Sequence, residues 1–122
     1  MKILIVGAGG FVGAILRYLF SKWITLLVGN IIPFGTLFVN VVGSFALGYI
    51  HTLSVERLSI GGDMRLFIEV GILGAFTTFS TFSIETLHLF EDGAYMLALL
   101  YMFLNLFISL VAAFMGIHFA RI

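Results

Sequence analysis

An all-α membrane protein with four transmembrane helices is the fold class this sequence predicts. Hydrophobic residues fill 61% of its 122 positions and charged residues only 10%, against about 25% charged in a typical soluble domain. Mean hydropathy is +1.21. The apolar residues gather into four runs of about twenty residues or more, the length a helix needs to cross a hydrocarbon core about 30 Å thick. The third run is unlike the others. Between Gly71 and Ser83 it carries two glycines, three phenylalanines and five hydroxyl side chains.

The first run spans roughly 3–27 and is interrupted only by Arg17 and Lys22. Arg17 within it, and the lack of a small-residue cleavage site, argue for a retained helix rather than a secretory signal. After the turn Gly29-Asn30-Ile31-Ile32-Pro33 the second runs roughly 34–53. Glu56, Arg57, Asp63 and Arg65 make the stretch from Ser54 to Arg65 the one strongly polar loop. The third run covers roughly 66–90, with a helix break expected near 74–78, and Glu91-Asp92-Gly93 turns the chain into the fourth, roughly 94–119. All of this is one integral membrane domain, residues 1–122. Lys2, Arg57, Arg65 and Arg121 fall on one side, Lys22 and Arg17 on the other. That bias mildly favours cytoplasmic termini under the positive-inside rule and is small enough to permit insertion in both directions.

Composition also excludes several functions. There is no cysteine, hence no disulfide framework or thiolate metal site. His51, His88 and His118 lack the paired spacing of a zinc helix. Net charge is zero with no basic run, so nucleic acid is not a partner. Gly7-Ala-Gly-Gly-Phe-Val-Gly13 looks like a dinucleotide-binding turn, but Val12 stands where the third glycine belongs. The first carboxylate is Glu56, too far on to bind a ribose. Gly9/Gly13 and Gly10/Ala14 read better as a small-residue face that lets another helix approach closely.

Glu69 and Glu85 bracket the third-run cluster at a distance of about 24 Å along a helix, near opposite interfaces, which centres the run on Thr77. Hydroxyl-rich, weakly helical sequence at that depth is tolerated where it is buried in protein or lines a cavity. Thr36, Asn40, Ser44 and Gly48 share one face of the second helix; Tyr101, Asn105 and Ser109 share one face of the fourth. Singly, each reads as interhelical hydrogen-bonding glue, and Tyr101 as a packing residue. As a set at one depth they read as a lined pathway. Phe76, Phe79 and Phe82 recur at helical spacing, ordinarily a packing stripe. Interleaved with hydroxyls, their electropositive ring edges would suit a small anion without a fixed charge to trap it. Arg17 either snorkels to headgroups or raises the local anion concentration at a vestibule. Lys22 and Trp23 are interfacial anchors in contact with lipid.

Gly9-Gly-Phe-Val-Gly-Ala-Ile-Leu-Arg-Tyr18, Gly35-Thr-Leu-Phe-Val-Asn-Val-Val-Gly-Ser-Phe-Ala-Leu-Gly48 and Gly71-Ile-Leu-Gly-Ala-Phe-Thr-Thr-Phe-Ser-Thr-Phe-Ser83 resemble the Fluc (CrcB) fluoride channels, and Asn105 and Ser109 fit the same pattern. The resemblance covers all four runs. It implies an antiparallel, dual-topology homodimer in the cell membrane that exports fluoride passively through two pores. By that resemblance Phe79 and Phe82 are the pore phenylalanines and Asn40 a pore-lining donor. Ser80, Thr81 and Ser109 form the polar track, with Tyr101 and Asn105 also at the pore, and Arg17 and Glu85 lie near its entrances. The carbonyls of Gly74 and Thr77 would hold a structural sodium ion shared by the two subunits. One departure is Ala113, where the family often has a hydroxyl. The alternative is a small dual-topology proton-coupled multidrug exporter. That mechanism requires a carboxylate deep in the bundle, and the first, second and fourth runs hold none.

Overall fold

A computed structural model describes residues 1–57 and 60–122, so part of the polar loop expected at 54–65 lies outside the described residues. Every regular element among the described residues is helical, and four helices are long and apolar enough to cross a membrane: Lys2–Val28, Phe34–Glu56, Gly62–Glu91 and Tyr95–Arg121. It is a multi-pass membrane protein. The second helix ends beyond its apolar run, the third begins before its own, and the fourth ends beyond its own. Paired charges hold those extra turns. Arg121 grips Glu56 through Nη2 at 2.8 Å and Nε at 3.1 Å, while Arg57 Nη2 donates to the Arg121 carbonyl at 2.7 Å. These contacts tie the end of the second span to the end of the fourth.

The turns are set by residues that stop helices. The first span, α1 (Lys2–Val28), ends at Gly29 with φ 85°, its N–H bonding the Thr25 carbonyl. Pro33 then opens α2 (Phe34–Glu56), where a missing N–H costs nothing. The third span ends at Glu91 in a Schellman turn: Gly93, at φ 79°, donates to Phe90 O at 3.0 Å and Ala94 to Leu89 O at 2.9 Å.

The third span is not uniformly wound. A short α3 (Gly62–Arg65) leads into a π-wound stretch, Leu66–Leu73, and then a single turn, α4 (Gly74–Phe76). Thr77 is extended at φ −88°, ψ 159°, and helix resumes as α5 (Ser80–Glu91). Thus 77–79 are non-helical, whereas Gly74, Ala75 and Phe76 are helical. The fourth span likewise joins α6 (Tyr95–Phe103) to α7 (Ser109–Arg121) through a π-wound turn, Leu104–Ile108.

Glycine brings the spans together. A side chain at Gly9 or Gly13 would strike the backbone of Phe67, Gly71 and Ile72, so α1 lies directly against the π-wound part of the third span. Gly48 and Gly116 do the same between α2 and α7, against Ala113 and Phe45. Gly10 faces open space, so the small-residue face narrows to Gly9 and Gly13. Near the polar end, Glu69 of the third span bonds His51 of α2 at 3.0 Å and lies 3.6 Å from Arg65. Leu26, Leu27, Met96, Phe103 and Phe114 point outward, as lipid-facing residues should.

Gly116→Ala should therefore lower the thermal stability of the detergent-solubilised protein by about 1–3 kcal/mol, the usual cost of overpacking. Gly7→Ala, with nothing within 4 Å of the new methyl group, should leave the melting curve where it is. Equal melting curves for the two variants would show that the α2–α7 contact is not close-packed.

Candidate functional site

The interruption at 77–79 exposes backbone that a helix would have satisfied, and Asn40 answers part of it. Asn40 Oδ1 accepts the Thr78 N–H at 2.8 Å, and Asn40 Nδ2 donates to the Thr78 carbonyl at 2.9 Å. The same Nδ2 donates to Asn105 Oδ1 at 2.8 Å, joining the second, third and fourth spans at one point. Thr78 also starts α5: its hydroxyl accepts the Thr81 N–H at 3.3 Å and donates to Thr81 Oγ1 at 3.2 Å. Thr77 remains tied to the preceding turn, both its N–H and its hydroxyl donating to Leu73 O. No backbone N–H of the described residues answers the carbonyls of Gly74, Ala75 or Thr77.

Two cavities meet at this junction. The first, about 460 Å³, is lined by Asn40, Ser44, Gly74, Thr77, Thr78, Phe79, Phe82, Asn105, Ser109 and Ala113, with no charged residue among them. The second, about 480 Å³, is lined by Arg17, Ser21, Lys22, Thr25, Thr36, Thr78, Thr81 and Glu85. Thr78 belongs to both walls. A neutral, hydroxyl- and amide-lined chamber therefore adjoins one with two cationic side chains and one carboxylate. Phe79 and Phe82 meet edge-on with ring centres 5.5 Å apart, and Phe82 lies 5.5 Å from Tyr101. The Tyr101 ring is completely buried, and its hydroxyl donates to Glu85 Oε1 at 2.8 Å.

Residues 4–117 match the family described as CrcB-like protein, Camphor Resistance (CrcB). The chain belongs to the CrcB family. Its relatives cover nearly its whole length. A protein of Agrobacterium fabrum named "Fluoride-specific ion channel FluC" is 43% identical over 99% of this chain and 97% of its own. Proteins of the same name from Sulfurihydrogenibium sp. and Thermus thermophilus are each 46% identical, over 98% and 94% of this chain and 97% and 90% of theirs.

The structure distributes the residues singled out in this CrcB-family sequence over three places. Asn40, Phe79, Phe82, Asn105 and Ser109 surround the first cavity, with Gly74 and Thr77 at its edge. Arg17, Thr81 and Glu85 line the second. Tyr101 stands behind Phe82, linking its ring to Glu85. Ser80 lines neither cavity and is exposed, because neighbouring helical residues point about 100° apart and Thr81 takes the inward direction. Several lining residues were missing from the sequence-derived site. Ser21, Lys22 and Thr25 line the second cavity, although Lys22 reads in the sequence as an interfacial anchor. Thr36 and Ser44 lie on the Asn40 stripe that the sequence already shows as one face. Thr78 carried no signal of its own beyond its place in the hydroxyl cluster. Among the described residues no group of three or more His, Asp or Glu could hold a metal ion through side chains.

Asn40 is both lining and clamp, which separates it from Ser109. Asn40→Leu strands the Thr78 N–H and carbonyl, and leaving buried polar groups unmet costs about 1–3 kcal/mol each. Its melting temperature should drop clearly. Ser109→Ala removes a hydroxyl with no partner among the described residues and should melt like the unaltered protein. Comparable melting of the two variants would mean that Asn40 does not hold the break.

Proposed function

We propose that this chain is a fluoride-selective channel that lets fluoride leave the cytoplasm passively across the cell's inner membrane. The single observation that carries the reading is the uncharged cavity lined by amide, hydroxyl, phenyl and leucine side chains, which shares Thr78 with a second cavity lined by Arg17 and Lys22. The fluoride channel name shared by its relatives supports it. Fluoride is small and tightly hydrated, so a path must replace its water with donors and still release it. Neutral amides and hydroxyls meet both demands. A lysine or arginine at the narrow part would hold the ion too firmly, and here the cations stand outside, where they raise local anion concentration. The physiological logic follows from acid chemistry: in acidified surroundings fluoride enters the cell as neutral HF, ionises inside and needs a passive exit.

The working unit in this reading is an antiparallel homodimer inserted in both orientations. Gly74 and Phe79 support it: both lie open in the single chain, Phe79 at 76% exposure, beside the break. A phenylalanine assigned to a pore needs a second wall, and a two-fold partner supplies one. Such symmetry also brings two breaks together. The unanswered carbonyls fit a hard cation, which takes oxygen ligands. Gly74 and Thr77 of each subunit would hold a structural sodium ion, supplying fixed positive charge beside the path without lining it.

Purified protein in liposomes should release fluoride and retain chloride. Phe79→Ile and Phe82→Ile should each cut that release by about tenfold or more, the effect of losing about 1.4 kcal/mol of ion stabilisation, with dimer elution unchanged. Near-normal flux in both would remove the phenylalanines from the path. Reporter fusions at the C-terminus should detect both orientations; a strictly single topology would rule out the antiparallel dimer.

A further inference from the structure

One face of α2 holds the third span at two polar points. Asn40 meets the break at Thr78, and His51, about three turns further on, meets Glu69 in the π-wound stretch Leu66–Leu73. The first contact is fixed, since the Thr78 peptide offers one donor and one acceptor. The second is not. His51 Nδ1 lies 3.0 Å from Glu69 Oε2 and 3.4 Å from Arg65 Nη2. A carboxylate only accepts and a guanidinium only donates, while a ring nitrogen offers either a hydrogen or a lone pair. Nδ1 therefore serves one of them at a time. Arg65 is held no better on its other side. It stands 3.6 Å from Glu69 Oε1, beyond hydrogen-bond reach, and Arg65 Nε and Glu69 Oε1 are both buried without a hydrogen-bond partner among the described residues.

The surroundings leave the choice to these three side chains. Glu69 and Arg65 are the only groups among the described residues in polar contact with His51. On α2 itself Glu56 is gripped by Arg121 of α7, and Arg57 donates to the Arg121 carbonyl. His118 of α7 is exposed beside Phe119, and Lys2 of α1 and Asp63 of α3 are exposed as well. The His51 ring is open to water, which delivers its proton, whereas Glu69 is mostly covered and its charge is less screened.

We propose that His51 is a proton-operated latch that moves the hold of α2 by one turn along the third span. With its proton, the imidazolium donates Nδ1–H to Glu69, inside the π-wound stretch, and repels Arg65. Without it, Nδ1 accepts from Arg65, just before that stretch, and the guanidinium closes on Glu69 Oε1, giving both orphaned atoms a partner. Acid thus clamps the π-wound stretch to α2, and its release follows as the ring loses its charge. The device is a property of the fold and holds whichever ion the chain carries.

Double-mutant cycles on the detergent-solubilised, full-length protein test it. Melting midpoints are measured at about pH 5.5 and about pH 8, either side of the range in which histidine ordinarily changes charge. The variants are His51→Gln, Glu69→Gln, Arg65→Gln and the two doubles containing His51→Gln. Glutamate and arginine keep their charges at both values, so only the ring changes sign. His88 and His118 are present at every corner and cancel. The His51–Glu69 coupling should stabilise by about 1–4 °C in acid and shrink at the higher pH. The His51–Arg65 coupling should run the other way, stabilising at the higher pH and destabilising in acid. A His51–Glu69 coupling equal at both values would overturn the latch, as would a His51–Arg65 coupling that stays stabilising in acid. Ring-labelled ¹⁵N histidine gives a readout that does not require His51→Gln to fold. The chain has three histidines, and His88→Gln and His118→Gln, both at exposed positions, identify the signals of His51. Its Nδ1 should carry hydrogen in acid and be the bare nitrogen at the higher pH. A bare Nε2 there, with Nδ1–H kept, would exclude the exchange of partners.

Discussion

The constraint on which this structure turns is that backbone polar groups inside a membrane must find partners within the protein. Residues 77–79 break that rule locally, and the fold is arranged around the answer. Asn40 takes the place of the missing helical bonds at Thr78, offering one acceptor and one donor as a neighbouring peptide would. A side chain can do this only if its helix sits at the right depth and distance. The glycine contacts supply that distance. Gly9 and Gly13 set α1 against the third span, and Gly48 and Gly116 draw the fourth against α2. What the sequence offers as small residues is, in the structure, the means by which a broken helix stays satisfied.

Winding matters as much as spacing. A strict four-residue stripe drifts by about 40° per step around an α-helix. The π-wound turn Leu104–Ile108 widens the helix where Tyr101, Asn105 and Ser109 would otherwise drift apart. Tyr101 and Asn105 are both buried, and the Ser109 hydroxyl with them. Such wide turns recur at functional sites because they redirect side chains without ending the helix. Here the redirected residues include Tyr101, which bonds Glu85, and Asn105, which accepts from Asn40.

These features explain what could be read in advance. Four spans are written in composition and run length, which bilayer thickness converts directly into structure. The Asn40 and Asn105 faces were legible for the same reason, being periodic. Their hydrogen bonds were not. Whether Asn105 meets Asn40, the ion or lipid depends on how helices far apart in sequence rotate about their axes, and no local pattern records that. Ser80 and Thr81 show the limit most plainly. Both are hydroxyl residues in one motif, and only the phase of α5, set by the break before it, decides that Thr81 faces the cavity. The polar contacts at that end, Glu56 with Arg121 and Glu69 with His51, were invisible for the same reason.

The division of charge between the two cavities gives the last step. Ion attraction and ion release make opposite demands, and one site cannot satisfy both well. Coulomb attraction strengthens steeply as water is excluded, so a guanidinium at a narrow part of the path would bind a small anion tightly and pass it slowly. Set apart from it, the same charge acts mainly on arrival rate. Arg17 and Lys22 line the second cavity together with Glu85, which is held on Tyr101. The first cavity has no charged side chain: two amides, several hydroxyls and aromatic rings line it with Leu106 and Leu110. Dipoles lose strength quickly with distance, so an ion moving one site onward loses its hold on the last. Separating the collecting charges from the conducting dipoles is what makes a selective path compatible with a fast one, and Thr78, shared by both walls, marks the boundary between them.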